Sequence, residues 1–132
     1  MSAVAFAPET PALVLAHTDQ APSRARRFLV GRYRELGIAD DYVGRLVVTE
    51  LVTNAYRHVG YGFIVVRVFP DERDGTVVIE VWDQGIALPS VQPEDHEATC
   101  GRGLRLVGEL VQAWGVRLLN EEGKVVWARL VR

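Results

Sequence analysis

The chain has 132 residues, 48% hydrophobic and 24% charged, which suits one folded unit whose core covers roughly two-thirds of the surface the unfolded chain exposes. Its 15 Lys and Arg against 17 Asp and Glu leave a net charge of −2, so no overall field draws in a polyanion and nucleic acid is not the expected partner. Lys124 is the sole lysine and Cys100 the sole cysteine, which excludes a P-loop lysine and an intrachain disulfide. Phosphate-gripping groups will be arginines, and the compartment a reducing one.

Residues 1–11, with Pro8 and Pro11 among small residues, read as a flexible lead-in without the positive start of a signal peptide, and residues 12–132 as one domain. No apolar stretch reaches membrane-spanning length, so the expected location is cytoplasmic. Ala12-Leu13-Val14-Leu15-Ala16 is a strand-like run. Pro22-Ser23, then Ala25, Phe28, Leu29 and Leu36 at helical spacing, predict an amphipathic helix closed by Gly37. Asp40 or Asp41 caps a second helix that runs to about His58. Residues 63–69 and 76–82 form a hairpin around Pro70-Asp71-Glu72-Arg73-Asp74-Gly75, and residues 114–119 and 124–131 another around Asn120-Glu121-Glu122-Gly123. Between them, residues 86–100 have no period and are longer than a connection requires. A helical pattern over 103–113 follows, with Leu104, Val107, Leu110 and Val111 on one face. This order predicts an α+β fold, a two-layer α/β sandwich whose mixed, mostly antiparallel sheet is covered on one face by about three helices.

The second helix carries the strongest chemical signal. Val43, Val47, Val48, Leu51, Val52 and Ala55 share its core-facing arc, with Arg45, Thr49, Thr53 and Tyr56 on the other side. Glu50 and Asn54 stand one turn apart on the margin of the arc, and Arg57 continues that ledge. A partly desolvated carboxylate suits a general base, and an amide carbonyl suits a hard cation. Farther on, Asp83-Gln84-Gly85 ends a strand with an acceptor-only side chain where the backbone admits close approach. Gly101-Arg102-Gly103 opens a helix whose N–H groups can hold phosphate. Each element alone has a plainer reading, as solvated polar residues, a turn or a helix entry; their order strengthens all three.

Glu50-Leu51-Val52-Thr53-Asn54-Ala55, Asp83-Gln84-Gly85 and Gly101-Arg102-Gly103-Leu104 resemble the N, G1 and G2 boxes of the GHKL ATP-binding superfamily, in order and over about residues 12–131. The short length, the closing hairpin and the tracts Glu-Leu-Val-Thr-Asn-Ala and Gly-Arg-Gly-Leu look like the anti-sigma factor serine/threonine kinases of bacteria. The resemblance implies a Bergerat-type fold binding ATP and Mg²⁺. It makes Glu50 the base for an attacking hydroxyl, Asn54 the Mg²⁺ ligand and Asp83 the acceptor for the adenine amino group. Gly85 would admit the base, and Gly101, Arg102, Gly103 and Leu104 would supply N–H groups to the phosphates. Arg57 would neutralise phosphate charge, and residues 86–100 would form a lid. The implied partners are a sigma factor and an antagonist protein phosphorylated on Ser or Thr, with a homodimer possible in this branch. The chain departs from the pattern at Ala87, where a fuller G1 box has a second glycine, and at Val59, which separates His58 from Gly60.

His17, His58 and His96 show no metal-ligand spacing, and Cys100 lacks an upstream nucleophile arrangement. Trp82, Trp114 and Trp127 read as core or sheet-face residues. Arg24, Arg26 and Arg27 form a basic patch whose plain reading is a solvated face and whose sharper one is a dock for an acidic partner. Beside kinase activity, two alternatives stand: a module that binds ATP only as a conformational ligand, and a degenerate domain that acts through its surfaces.

Overall fold

A computed structural model describes residues 10–71, 75–85, 102–119 and 123–132. Residues 1–9 of the expected 1–11 lead-in, the 86–100 lid with Ala87 and Cys100, and Gly101 lie outside the described residues. Among the described residues five strands and three helices follow in the order β1 (Ala12–Leu15), α1 (Ala21–Glu35), α2 (Tyr42–Val59), β2 (Ile64–Asp71), β3 (Thr76–Asp83), α3 (Arg102–Leu110), β4 (Ala113–Leu118) and β5 (Lys124–Val131). The sheet order is β1-β2-β3-β5-β4. Every neighbouring pair is antiparallel, so the sheet is antiparallel throughout rather than mixed. The reason is that β5 turns straight back from β4 and inserts beside β3.

Helix α1 takes Pro22 in its first turn, where the missing N–H costs nothing. It buries Ala21, Ala25, Leu29 and Tyr33, a four-residue spacing that forms one stripe. Its end is a Schellman turn: Ile38 N–H donates to the Tyr33 carbonyl at 2.8 Å and Gly37 N–H to Arg34 at 3.2 Å. Gly37 stands at φ 74°, a conformation open to glycine. At the start of α2 the two aspartates divide the work. The Asp40 carboxylate accepts from Tyr42 N–H at 3.1 Å, whereas Asp41, the cap position, spends its carboxylate on Arg45 Nε at 2.8 Å.

Helix α2 buries Val47, Val48, Leu51, Val52 and Ala55 as its arc requires. Part of its opposite side is covered by α1 rather than water. Arg26 donates to Thr49 Oγ at 3.1 Å, Thr49 Oγ donates to the Arg45 carbonyl at 2.6 Å, and Tyr56 packs against the core. The two helices cross closely at Gly44, where a Cβ would come within 2.6 Å of Tyr33 Oη. His17 stacks on Tyr56 with ring centroids 4.5 Å apart, and its Nε2 donates to the Tyr56 carbonyl at 2.8 Å.

The helix-covered face of the sheet contributes Leu15, Ile64, Val66, Ile79, Val81 and Ala128 to a core that Leu104 and Val107 of α3 complete. Helix α3 stops at Leu110, three residues before the sequence pattern ends. There Gln112 N–H already donates to the Arg129 carbonyl, drawing the chain into β4. On the other sheet face Glu80 pairs with Arg117 at 3.2 Å and Arg129 lies over the Trp127 ring.

Candidate functional site

Strand β3 ends at Asp83, a carboxylate 1% exposed on the helix-covered side of the sheet. Its Oδ1 accepts from Gly85 N–H at 2.9 Å and from Lys124 Nζ at 2.9 Å. Lys124 is the first residue of β5 and stands directly opposite Asp83 in the strand register. A buried carboxylate is tolerable when it is paired and hydrogen-bonded, and Asp83 is both.

Gly85 lets three elements meet. A Cβ there would lie 2.8 Å from Val59 Cγ2 and 3.3 Å from both Asp83 Oδ1 and Lys124 Nζ. Val59 is the last residue of α2, so the helix that carries Glu50, Asn54 and Arg57 is pinned by its end against the turn that carries Asp83. The surrounding loop is tied down as well. Gln84 Oε1 accepts from Phe63 N–H at 3.1 Å, and the Tyr61 hydroxyl donates to the Gln84 carbonyl at 3.4 Å. Gly123, at φ 105°, passes so close that a Cβ would sit 2.5 Å from the Asp83 carbonyl oxygen.

On α2, Glu50 and Asn54 are half-buried and Arg57 is exposed. The Asn54 Nδ2 is buried without a hydrogen-bond partner, and an orphaned amide donor in that position costs about 1–3 kcal/mol unless something accepts from it. Helix α3 packs on α2 through Leu104 and Val107. Its first turn, from Arg102 through Gly103 to Leu104, holds backbone N–H groups that no preceding turn can accept. Gly101 and the Arg102 side chain lie outside the described residues.

The structure therefore joins Asp83 and Gly85 to the end of α2, and α3 to the side of α2. Sequence reasoning missed Lys124, which it used only to exclude a P-loop. The signal was the hairpin offset: five residues on from Leu119, Lys124 starts the strand whose register reaches Asp83. Among the described residues no cluster of His, Cys, Asp and Glu could hold a metal ion on its own, and no helix is long and apolar enough to cross a membrane.

A protein-family model described as a histidine kinase-like ATPase domain matches residues 14–130. The chain belongs to this family. The antiparallel sheet with its three covering helices is the α+β sandwich consistent with such an ATPase domain. Membership of the histidine kinase-like ATPase family implies ATP binding. No curated protein matches the chain.

Proposed function

We propose that this histidine kinase-like ATPase domain is a Mg²⁺–ATP-dependent regulatory kinase of the anti-sigma type, which transfers phosphate to a Ser or Thr of an antagonist protein and sequesters a sigma factor. The observation that carries the reading is the corner where Gly85 brings the acceptor Asp83 against the end of the Glu50–Asn54 helix. The residues present fit a nucleotide. At Gly85 a Cβ would come within 2.8 Å of Val59 Cγ2, so the absence of a side chain is what lets the turn lie against the end of α2, and Asn54 carries a buried amide donor without a partner.

In this reading Asp83 accepts from the adenine amino group, and the first turn of α3 donates N–H groups to the phosphates. Asn54 would hold Mg²⁺ through its side-chain carbonyl, a hard oxygen donor, and its unpartnered N–H would be free to donate to the nucleotide. Bound Mg²⁺ would neutralise charge on the phosphates as the terminal phosphoryl group leaves. Glu50 takes the proton of the attacking hydroxyl, and Arg57 screens phosphate charge from its exposed position. Little covalent chemistry is asked of the protein, because phosphoryl transfer depends on positioning and charge stabilisation.

The partner surface is assigned to α1. Arg26, Arg27, Arg34 and Arg45 line an open groove of about 540 Å³ together with Ser23, Val30 and Gly31. Arg45 is paired with Asp41 and Arg26 is held on Thr49, so Arg27 and Arg34 are the groups this groove offers to an acidic protein surface, where forked donors pair with carboxylates.

The test combines ATP binding with transfer to a Ser/Thr peptide library by wild type and Glu50→Gln. Binding by both, with phosphopeptide formed by wild type alone, is the expected result. Failure of wild type to bind ATP overturns the reading, and binding without any transfer assigns the chain to the ATP-responsive module without kinase activity.

A further inference from the structure

The sole lysine of the chain is buried in the candidate site. Lys124 Nζ donates to Asp83 Oδ1 at 2.9 Å, and the two side chains are only 4% and 2% exposed. Both atoms lie 3.3 Å from the point a Gly85 Cβ would occupy, so a donor and an acceptor stand side by side against the Gly85 backbone. Building on the ATP-binding reading above, we propose that Lys124 is a base-binding residue. Its ammonium stays on Asp83 and donates to a ring nitrogen of adenine, while the neighbouring amino group of the base donates to the carboxylate.

Magnitudes decide against the simpler view that Lys124 plugs the site and must be expelled. Stripping one partner from a buried ion pair costs roughly a few hundredfold to a few thousandfold in an equilibrium constant. One hydrogen bond from a neutral amine to a carboxylate returns about tenfold to a hundredfold. A base that displaces the ammonium therefore loses more than it gains, whereas a base that joins the pair keeps it intact.

The valences allow this. A lysine ammonium has three N–H donors and a carboxylate about four acceptor positions. Oδ1 already takes Gly85 N–H and Lys124 Nζ, so by the described contacts the two positions on Oδ2 are left to receive an added donor. The ligand edge that fits is one amino donor beside one ring acceptor. Adenine has that edge, because its amino group is flanked by N1 on one side and N7 on the other.

Because Lys124 is the sole lysine, protein labelled with ¹⁵N-lysine gives one Nζ resonance, and the test runs on wild type. ATP, 1-deaza-ATP and 7-deaza-ATP are titrated, each analogue lacking one ring acceptor beside the amino group. The expected result is a shifted Nζ resonance with ATP, and about tenfold weaker binding with a smaller shift for one of the two analogues. In Lys124→Met that analogue and ATP bind alike. Lys124 is not a base-binding residue if ATP binds with the Nζ resonance unmoved, if both analogues match ATP on wild type, or if Lys124→Met tightens ATP binding. Absence of ATP binding altogether is a different result: it removes the nucleotide reading itself, and this assignment with it.

Discussion

Replacing Lys124 with methionine keeps the volume and removes the charge, leaving Asp83 with Gly85 N–H as its described partner. Surface ion pairs contribute about 0–1 kcal/mol because water competes for both charges. Here the side chains are 4% and 2% exposed, so water does not replace the lost ammonium and the stranded carboxylate bears its desolvation alone. Removing one partner from such a pair costs about 3–5 kcal/mol. For 132 residues the unfolding entropy near Tm is about 0.28 kcal/mol/K, so Tm falls by about 11–18 °C. Thermal melts of wild type, Lys124→Met, Asp83→Asn and the double variant form a cycle that isolates the pair. Asp83→Asn neutralises the stranded charge, so the double variant regains much of what Lys124→Met loses. A Tm change under about 3 °C for Lys124→Met, or strict additivity in the double variant, would refute the assignment of a buried, coupled pair.

Three further outcomes follow from the packing. Gly44→Ala forces its Cβ within 2.6 Å of Tyr33 Oη and should destabilise by about 1–3 kcal/mol, with part regained in the Gly44→Ala/Tyr33→Phe background, as chemical denaturation will measure. The Tyr33 hydroxyl is pushed up to about 12 by burial first, then by Asp41 and Asp40. Its folded pKa exceeds the ordinary 10, so its contribution to stability is full below pH 10 and is lost as pH rises through about 12; absorbance titration of tyrosinate should show one late-ionising group that Tyr33→Phe removes. Asn54→Ala deletes a buried donor without a partner, so stability without ligand should hold or rise, by up to about 1–3 kcal/mol, while Mg²⁺-dependent ATP binding falls at least tenfold by calorimetry.

Most of the fold was legible because each element carries its own period and punctuation. Pro22 and Gly37 bracket α1, Gly60 in the left-handed region ends α2 at φ 80°, and the β-branched runs of β2, β3 and β5 lie between turn residues. Strand order was not legible in the same way. The insertion of β5 between β3 and β4 depends on tertiary packing over a crossover, and that insertion makes the sheet wholly antiparallel. The far side of α2 depends on tertiary packing in the same way: Thr49 and Tyr56 lie opposite the core-facing arc, yet α1 and His17 cover them.

The candidate residues were legible as short motifs around Glu50, Asp83 and Gly103, since glycine and carboxylate placement is local. The Lys124 contact was not, because Asp83 and Lys124 are 41 residues apart and meet only through the register of β3 with β5. Likewise nothing local announces that Val59 ends α2 against Gly85.

In the proposed site the corner formed by Asp83, Gly85 and the end of α2 binds the base of ATP while Asn54 holds its metal. Calorimetric titration of ATP with and without Mg²⁺ into wild type and Asp83→Asn tests it most directly. The variant keeps side-chain shape and an acceptor oxygen for Gly85 N–H, and circular dichroism checks its fold. Mg²⁺-dependent binding to wild type, weakened at least tenfold in folded Asp83→Asn, is the predicted result. Binding that ignores both Mg²⁺ and the substitution, or no binding to wild type, would contradict it.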